Sequence, residues 1–311
     1  MNITIGILAA LATLALVNRA AALLSEHCYP PEGKFVEVDG IRLHYVERGV
    51  GDAVVLIHGN GATVADFLSS GILDLLARDH RVIAFDRPGF GHSARPRGIW
   101  TATAQARLLR RALRKLGVQK PVIAGHSWGA LVALSLALDD PDETAALVLL
   151  SGFLVPIPRA DVAAMAWAGA PVLGSVLAAT IMPPLAWLTM PLLLRRIFAP
   201  NPVTERFRKG FPLALALRPS QIKASFDDTL LMIPSAASLF PRCRELTLPV
   251  MIMAGAADAM VATDAQSARV HAVLPHSRFR RIAGAGHMIH HFLPEEVAAA
   301  IGAASGSGSS V

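Results

Sequence analysis

The chain is poor in cysteine, with two in 311 residues, Cys28 and Cys243. Their number and spacing give neither a disulfide framework nor a cysteine metal site, so both read as free thiols. Charge is also scarce, at 17% of residues, and none precedes Arg19. A secretory signal normally begins with a basic region, and this amino terminus has none. Basic residues outnumber acidic ones, 29 against 23, yet no binding motif and no basic stripe interleaved with aromatics accompanies them. Nucleic acid is therefore not an expected partner. No internal repeat is evident.

What is present is apolar. Hydrophobic residues make up 53% of the chain and the mean hydropathy is +0.47. Length alone permits two domains, but the chemistry-bearing segments described below fall in both halves, which fits one domain carrying an insertion. Ile3 to Val17 is an unbroken apolar or small-residue run; Asn18 and Arg19 interrupt it, and Ala20 to Leu24 resumes it. The pure run is short for a span of about 20 residues, although an arginine near one end can snorkel to the interface. Residues 1–27 are expected to form an uncleaved membrane anchor. The alternative is a signal cut near Ala20-Ala21-Ala22, giving a secreted or periplasmic protein. Glu26 to Gly33, with Pro30 and Pro31, reads as a linker.

Alternation of strand and helix patterns implies a mostly parallel sheet flanked by helices, an α/β architecture. Phe35 to Val38 and Ile41 to Val46 form a hairpin pattern around Asp39-Gly40. Ala53 to Ile57, Arg81 to Phe85, Val122 to Ala124, Val148 to Ser151, Leu248 to Met253 and Phe279 to Ile282 read as strands. Asp66 to Ala77, Ala102 to Leu116, Ala130 to Leu138 and Gln266 to Leu274 have helical periodicity.

Gly125-His126-Ser127-Trp128-Gly129 lies between one of those strands and one of those helices. A serine mounted on such a strained turn needs small residues two positions either side, so that strand and helix can approach closely. Its hydroxyl is a weak nucleophile until a histidine takes the proton and a carboxylate fixes that histidine's tautomer. Asp258 follows a strand in Gly255-Ala256-Ala257-Asp258, and His287 follows the last strand in Gly284-Ala285-Gly286-His287. Asp264 competes with Asp258 but is farther from its strand end. His290 and His291 compete with His287 and fit better as surface or packing residues. His58 and His126 read as hydrogen-bonders in tight turns. The three nearby histidines, His287, His290 and His291, lack the further ligands a metal site needs, and no cofactor is implied.

The order Ser127, Asp258, His287 resembles that of the α/β-hydrolases, and the resemblance extends from the hairpin near residue 35 to the final helix. His58-Gly59-Asn60-Gly61 is similar to the family's HGxG loop, and Asp86-Arg87-Pro88-Gly89-Phe90-Gly91-His92-Ser93 to a turn common in it. The resemblance implies catalysis by Ser127, His287 and Asp258, with the backbone N–H groups of Asn60 and Trp128 forming an oxyanion hole. Around the HGN sequence and at Trp128 the chain also resembles haloalkane dehalogenases and epoxide hydrolases. Those enzymes attack with an aspartate, whereas serine suits acyl transfer.

The family inserts a lid after the strand at 148–151, and here residues 153–240 are helix-prone and broken by prolines. Two core segments, 28–152 and 241–304, flank this cap, and a disordered Gly/Ser tail at 305–311 closes the chain. The cap carries Met165, Trp167, Val172, Leu173, Leu177, Ile181, Met182, Leu185, Trp187, Leu188, Met190 and Leu192 to Leu194. Such a roof is expected to line an apolar pocket and favour apolar or lipid-like esters. Arg195, Arg196, Arg206, Arg208 and Lys209 form either a membrane-facing basic patch or a solvated helix surface. The expected activity is thus hydrolysis of carboxylic esters through an acyl-enzyme. A cofactor-free C–C bond hydrolase, a perhydrolase or a non-catalytic binder of hydrophobic ligands remain the alternatives.

Overall fold

The computed structural model describes residues 2–160, 162 and 170–305. Met165, Trp167 and the tail beyond Ser305 lie outside these residues. Eight strands form one sheet: β1 (Lys34–Val38), β2 (Ile41–Arg48), β3 (Ala53–Ile57), β4 (Arg81–Phe85), β5 (Val122–His126), β6 (Ala146–Leu150), β7 (Val250–Gly255) and β8 (Arg278–Ile282). Their order is β1-β2-β4-β3-β5-β6-β7-β8. β1 and β2 pair antiparallel through a turn in which Asp39 and Gly40 both have positive φ, the conformation a two-residue hairpin requires. β2 pairs antiparallel with β4, and every later pairing is parallel.

The central strands are nearly continuous aliphatic runs because both faces are covered. One face packs on α4 (Ala102–Lys115) and α5 (Gly129–Asp139); the other packs on α2 (Val64–Ser70), α3 (Ile72–Leu76) and the carboxy-terminal helix at 294–305. The expected single helix over 66–77 is two helices, because Gly71 turns left-handed at φ +84° and caps α2. The helical pattern at 266–274 is realised as a wide turn at Asp264–Ala268 leading into a short helix at Arg269–Val273.

The amino-terminal helix α1 (Asn2–Cys28) runs unbroken through Asn18 and Arg19 and takes up the start of the expected linker. Asn18 does not interrupt it, because its side chain turns outward and donates to Ala179 O (2.9 Å) and Thr180 O (2.6 Å). Those carbonyls end α6 (Pro171–Ala179), so the amide caps that helix. Ile3–Cys28 is long and apolar enough to cross a membrane and is almost entirely unburied.

Between β6 and β7 the chain forms α6, α7 (Met182–Phe198), α8 (Glu205–Gly210), α9 (Leu213–Ala216) and α10 (Pro219–Leu239). The sequence suggests that the apolar side chains of this insertion face inward. Many do not: Val172, Leu188 and Leu192 are 77%, 79% and 73% exposed, and Leu173, Val176, Ile181, Leu185, Trp187 and Leu193 are also exposed. Apolar periodicity marks a face for burial but cannot say whether protein or another apolar medium covers it.

α10 is bolted to the core through Asp228, which has no solvent exposure. Its carboxylate binds Arg87 Nη1 at 2.5 Å, both terminal nitrogens of Arg95 at 3.1 Å and Gln105 Nε2 at 3.2 Å. Its backbone oxygen accepts the Trp128 indole N–H at 2.8 Å. Removing one member of a buried pair leaves the other unpaired, so Asp228→Ala should lower stability by about 3–5 kcal/mol in urea unfolding. The double variant Arg87→Met/Asp228→Leu, which removes both charges of the pair and leaves Arg95 with Asp227, should recover part of that loss; failure to recover any would mean that packing, not charge pairing, holds the helix.

Candidate active site

β5 ends in a turn that only this spacing of glycines allows. A Cβ on Gly125 would stand 2.4 Å from Gly129 O, and one on Gly129 would stand 2.3 Å from Ile57 O and 2.5 Å from His58 O. Ser127 between them has φ +53°, a left-handed conformation that costs a non-glycine residue roughly 1–2 kcal/mol. The turn is held by the Ser127 N–H, which donates to Leu150 O at 2.9 Å. The Ser127 side chain is partly exposed and, among the described residues, its hydroxyl has no hydrogen-bond partner.

Two backbone donors lie beside it. Ser127 C=O accepts from Ala130 N at 3.1 Å, and the planar trans peptide then points Trp128 N–H the opposite way, at the amino end of α5. The loop after β3 is aimed by the same rule. Arg87 takes His58 O (Nε, 2.9 Å) and Gly59 O (Nη2, 2.9 Å), which turns Asn60 N–H away from the guanidinium. This loop lies against the serine, since a Cβ on Gly59 would be 3.1 Å from Ser127 Cβ. Neither the Asn60 nor the Trp128 amide meets a protein acceptor among the described residues. The Asn60 side chain is occupied elsewhere, donating to Ser225 O (3.2 Å) and Thr229 Oγ1 (2.9 Å) on α10.

Asp258 and His287 come together as the sequence suggests. His287 Nδ1 and Asp258 Oδ2 are 2.7 Å apart, and the other carboxylate oxygen accepts the N–H groups of Met260 and Val261, each at 2.8 Å. An acceptor-only carboxylate places the imidazole proton on Nδ1 and leaves Nε2 as the basic nitrogen. Asp264 is instead a surface residue paired with Arg281. His287 is tied to the serine turn through its backbone, because its carbonyl faces His126 Nε2 at 3.2 Å.

The other histidines near these groups are buried and hydrogen-bonded. His58 donates from Nδ1 to Gly59 O (2.8 Å) and accepts the Arg87 N–H at Nε2 (2.9 Å), so it needs the neutral ring. Burial, and after it the Arg87 charge, lowers its pKa to about 3. His290 and His291 are buried and both face Asp66, whose carboxylate oxygens lie 3.0 and 2.8 Å from their Nε2 atoms. Of the two expected roles, surface or packing, the structure shows the packing one: an acidic residue on α2 supplies the partner that lets two imidazoles go inside. Burial by itself would raise the Asp66 carboxyl, but the facing imidazoles hold it well below the usual range. Arg87, Asp228 and Asp66 were not among the expected site residues.

A cleft of about 1340 Å³ runs between the end of α1, the β1–β2 hairpin, the loop after β4 and α10, lined by Glu26, Arg42, Trp100, Arg218 and Leu231 among others. Ser127, Asp258 and His287 do not line it.

A family model for the alpha/beta hydrolase fold matches residues 52–294. Among curated relatives, the chain is similar to a dihydrolipoyllysine-residue acetyltransferase component of an acetoin cleaving system from Cupriavidus necator. Identity is 38% over 38% of this chain and 31% of that one. It is 31% identical to haloalkane dehalogenase 2 of Mycobacterium tuberculosis over 44% of this chain and 46% of that protein. It is 34% identical to a 2-hydroxy-6-oxo-6-(2'-aminophenyl)hexa-2,4-dienoic acid hydrolase of Metapseudomonas resinovorans, over 40% of this chain and 44% of that one. The chain thus spans less than half the length of these relatives. A crystal structure of Cfl2 from Burkholderia cenocepacia superposes with a TM-score of 0.70 over 87% of this chain and 94% of that one, at 24% identity.

The buried neutral imidazoles set the direction of the pH dependence of stability. The folded pKa of His58 lies near 3 and its ordinary value is 6.5, so between these the unfolded chain binds the extra proton. Stability from this group is complete above about pH 6.5 and falls on acidification, by ~2 kcal/mol between pH 6.5 and 5 from this group alone. His126 and His291, lowered chiefly by burial, act in the same sense. Urea midpoints should drop steeply below neutrality; a flat profile from pH 7 to 5 would contradict the assignment.

Proposed function

The chain belongs to the alpha/beta hydrolase fold family, and we propose that within it this protein is a serine hydrolase acting on carboxylic esters of apolar, lipid-like substrates. One observation carries the proposal: a partly exposed serine at φ +53° with an unpaired hydroxyl, on the turn to which the His287–Asp258 pair is tied.

In this reading Ser127 Oγ attacks the acyl carbonyl and His287 Nε2 takes its proton, while Asp258 holds the Nδ1 proton and stabilises the imidazolium. The tetrahedral oxyanion rests on the N–H groups of Asn60 and Trp128. His287 passes its proton to the leaving alcohol, and water, activated by the same imidazole, releases the acid and restores the serine. Haloalkane hydrolysis, the activity named for one relative, is disfavoured because displacement at an alkyl carbon needs a carboxylate nucleophile where Ser127 stands. C–C bond hydrolysis is the second reading. The similarity to the dienoic acid hydrolase supports it.

The apolar preference rests on the outward-facing side chains of the insertion, which we propose as a lid, and on α1 as a membrane anchor. The two touch through Asn18 and through Glu26, which pairs with Arg218. Together they form an apolar surface from which lipid could enter the site.

Ser127→Ala should fold like the parent but lose fluorophosphonate labelling and at least ~10⁴-fold in kcat. Labelling of the variant would place the nucleophile elsewhere. Turnover of p-nitrophenyl esters should rise from acetyl to medium or long acyl chains; activity confined to acetyl, or to C–C substrates, would remove the lipid-ester assignment. Arg87→Met/Asp228→Leu, although folded, should lose about 10²-fold in kcat with KM little changed, because the Asn60 donor is no longer aimed. Unchanged kcat would show that the loop holds its own orientation.

A further inference from the structure

Beneath the Ser127 turn, four ionisable side chains meet out of contact with solvent: Asp66 on α2, His126 at the end of β5, and His290 and His291 on α12 (Ile289–Phe292), where the short helix at Arg269–Val273 is counted as α11. The proposed hydrolytic mechanism uses none of them. His126 Nε2 faces the His287 carbonyl at 3.2 Å, and a carbonyl only accepts, so that nitrogen carries the ring proton. His126 Nδ1 is therefore a bare lone pair. It is buried, has no hydrogen-bond partner and stands 4.0 Å from Asp66 Oδ2. Two electron-rich atoms face each other with nothing positive between them. Nδ1 of His290 and of His291 are likewise buried without partners.

We propose that Asp66, His126 and His290 form a buried site for one divalent transition-metal cation of the zinc type. The donor set is two imidazoles and a carboxylate, the ligands zinc takes at three-residue sites. The three ligand atoms lie within 4.8 Å of one another. Metal–nitrogen bonds of about 2.0–2.1 Å put tetrahedral ligands roughly 3.3 Å apart, so binding draws the side chains together by about 1 Å. His291 remains on the second oxygen of Asp66 at 2.8 Å and orients the carboxylate, as outer hydrogen bonds do around metal ligands. The cation takes the place of the proton between His290 Nε2 and Asp66, and the neutral His290 ring then carries its one proton on Nδ1. The site joins three segments: α2, the strand end that carries Ser127, and the helix that follows His287. Its role is to clamp them, and it takes no step in ester cleavage. The proposal does not depend on the hydrolase reading.

The test uses full-length protein in detergent, analysed for metal as purified and again after chelator stripping and reloading with Zn²⁺ or Co²⁺. One tightly held equivalent per chain, visible ligand-field bands with Co²⁺ and a rise in Tm on loading are expected. His126→Gln and Asp66→Asn should each weaken binding at least tenfold, while Ser127→Ala should bind like the parent. Failure of the unmodified protein to take up a stoichiometric cation at micromolar free metal overturns the proposal whatever the variants do. So does an equivalent that survives both His126→Gln and Asp66→Asn, since it must then sit elsewhere.

Discussion

The buried contact between Arg87 and Asp228 is the constraint on which the rest of the site depends. One guanidinium, without solvent, meets a carboxylate from the insertion, the amide oxygen of Gln105 and the carbonyls of His58 and Gly59. Its flat donor array suits this, because one side chain can satisfy acceptors in several directions within a plane. Phe90 and Trp128 cover its faces, with ring centroids 4.5 and 4.7 Å from the guanidinium carbon. Holding the two carbonyls fixes the peptide planes of the loop after β3 and hence the direction of the Asn60 N–H. Insertion, loop and serine turn are thereby referenced to one charged group. A lysine could not replace it: a point charge with three rotating donors would leave carbonyls unpaired in a site that water does not reach.

The strain at Ser127 has to be balanced by its surroundings. A left-handed serine survives only because strand β5, helix α5 and the bond from Ser127 N–H to Leu150 O define both sides of the turn. Glycine at 125 and 129 lets the helix sit on the strand ends; any side chain there would push it away and relax the turn. The same closeness leaves the Trp128 amide free at the start of α5, where no preceding turn can accept it. One packing requirement therefore produces a partly exposed hydroxyl and an adjacent unpaired donor.

Much of this was legible in the sequence, and the legible part has a common physical origin. Strands buried on both faces must be aliphatic runs, tight turns must carry glycine, and the residues just past β5, β7 and β8 are brought to one sheet edge by parallel pairing. That is why Ser127, Asp258 and His287 could be placed from short segments. Asp66 and Asp228 could not, because each lies inside a helix where an acidic residue reads as a solvated face. Only the three-dimensional meeting of α2 with His290 and His291, or of α10 with Arg87, reveals that they are buried. The proline-broken apolar stretch announced helices, but not which way they face, because periodicity gives an apolar side without naming what covers it.

The outward apolar side chains gain a physical reason when the docking of Asn18 is considered. Its amide is spent on the end of α6, so the helix is fixed to the protein at that level. The apolar run Ile3 to Val17 continues from that level with most of its side chains exposed. α6 and α7 add exposed apolar side chains, among them Val172, Leu188 and Leu192, which carry no polar group to bury. On the proposed reading, α1 and the greasy insertion are two halves of one arrangement: the anchor holds the lid against the lipid, and the lid presents its apolar side chains to it.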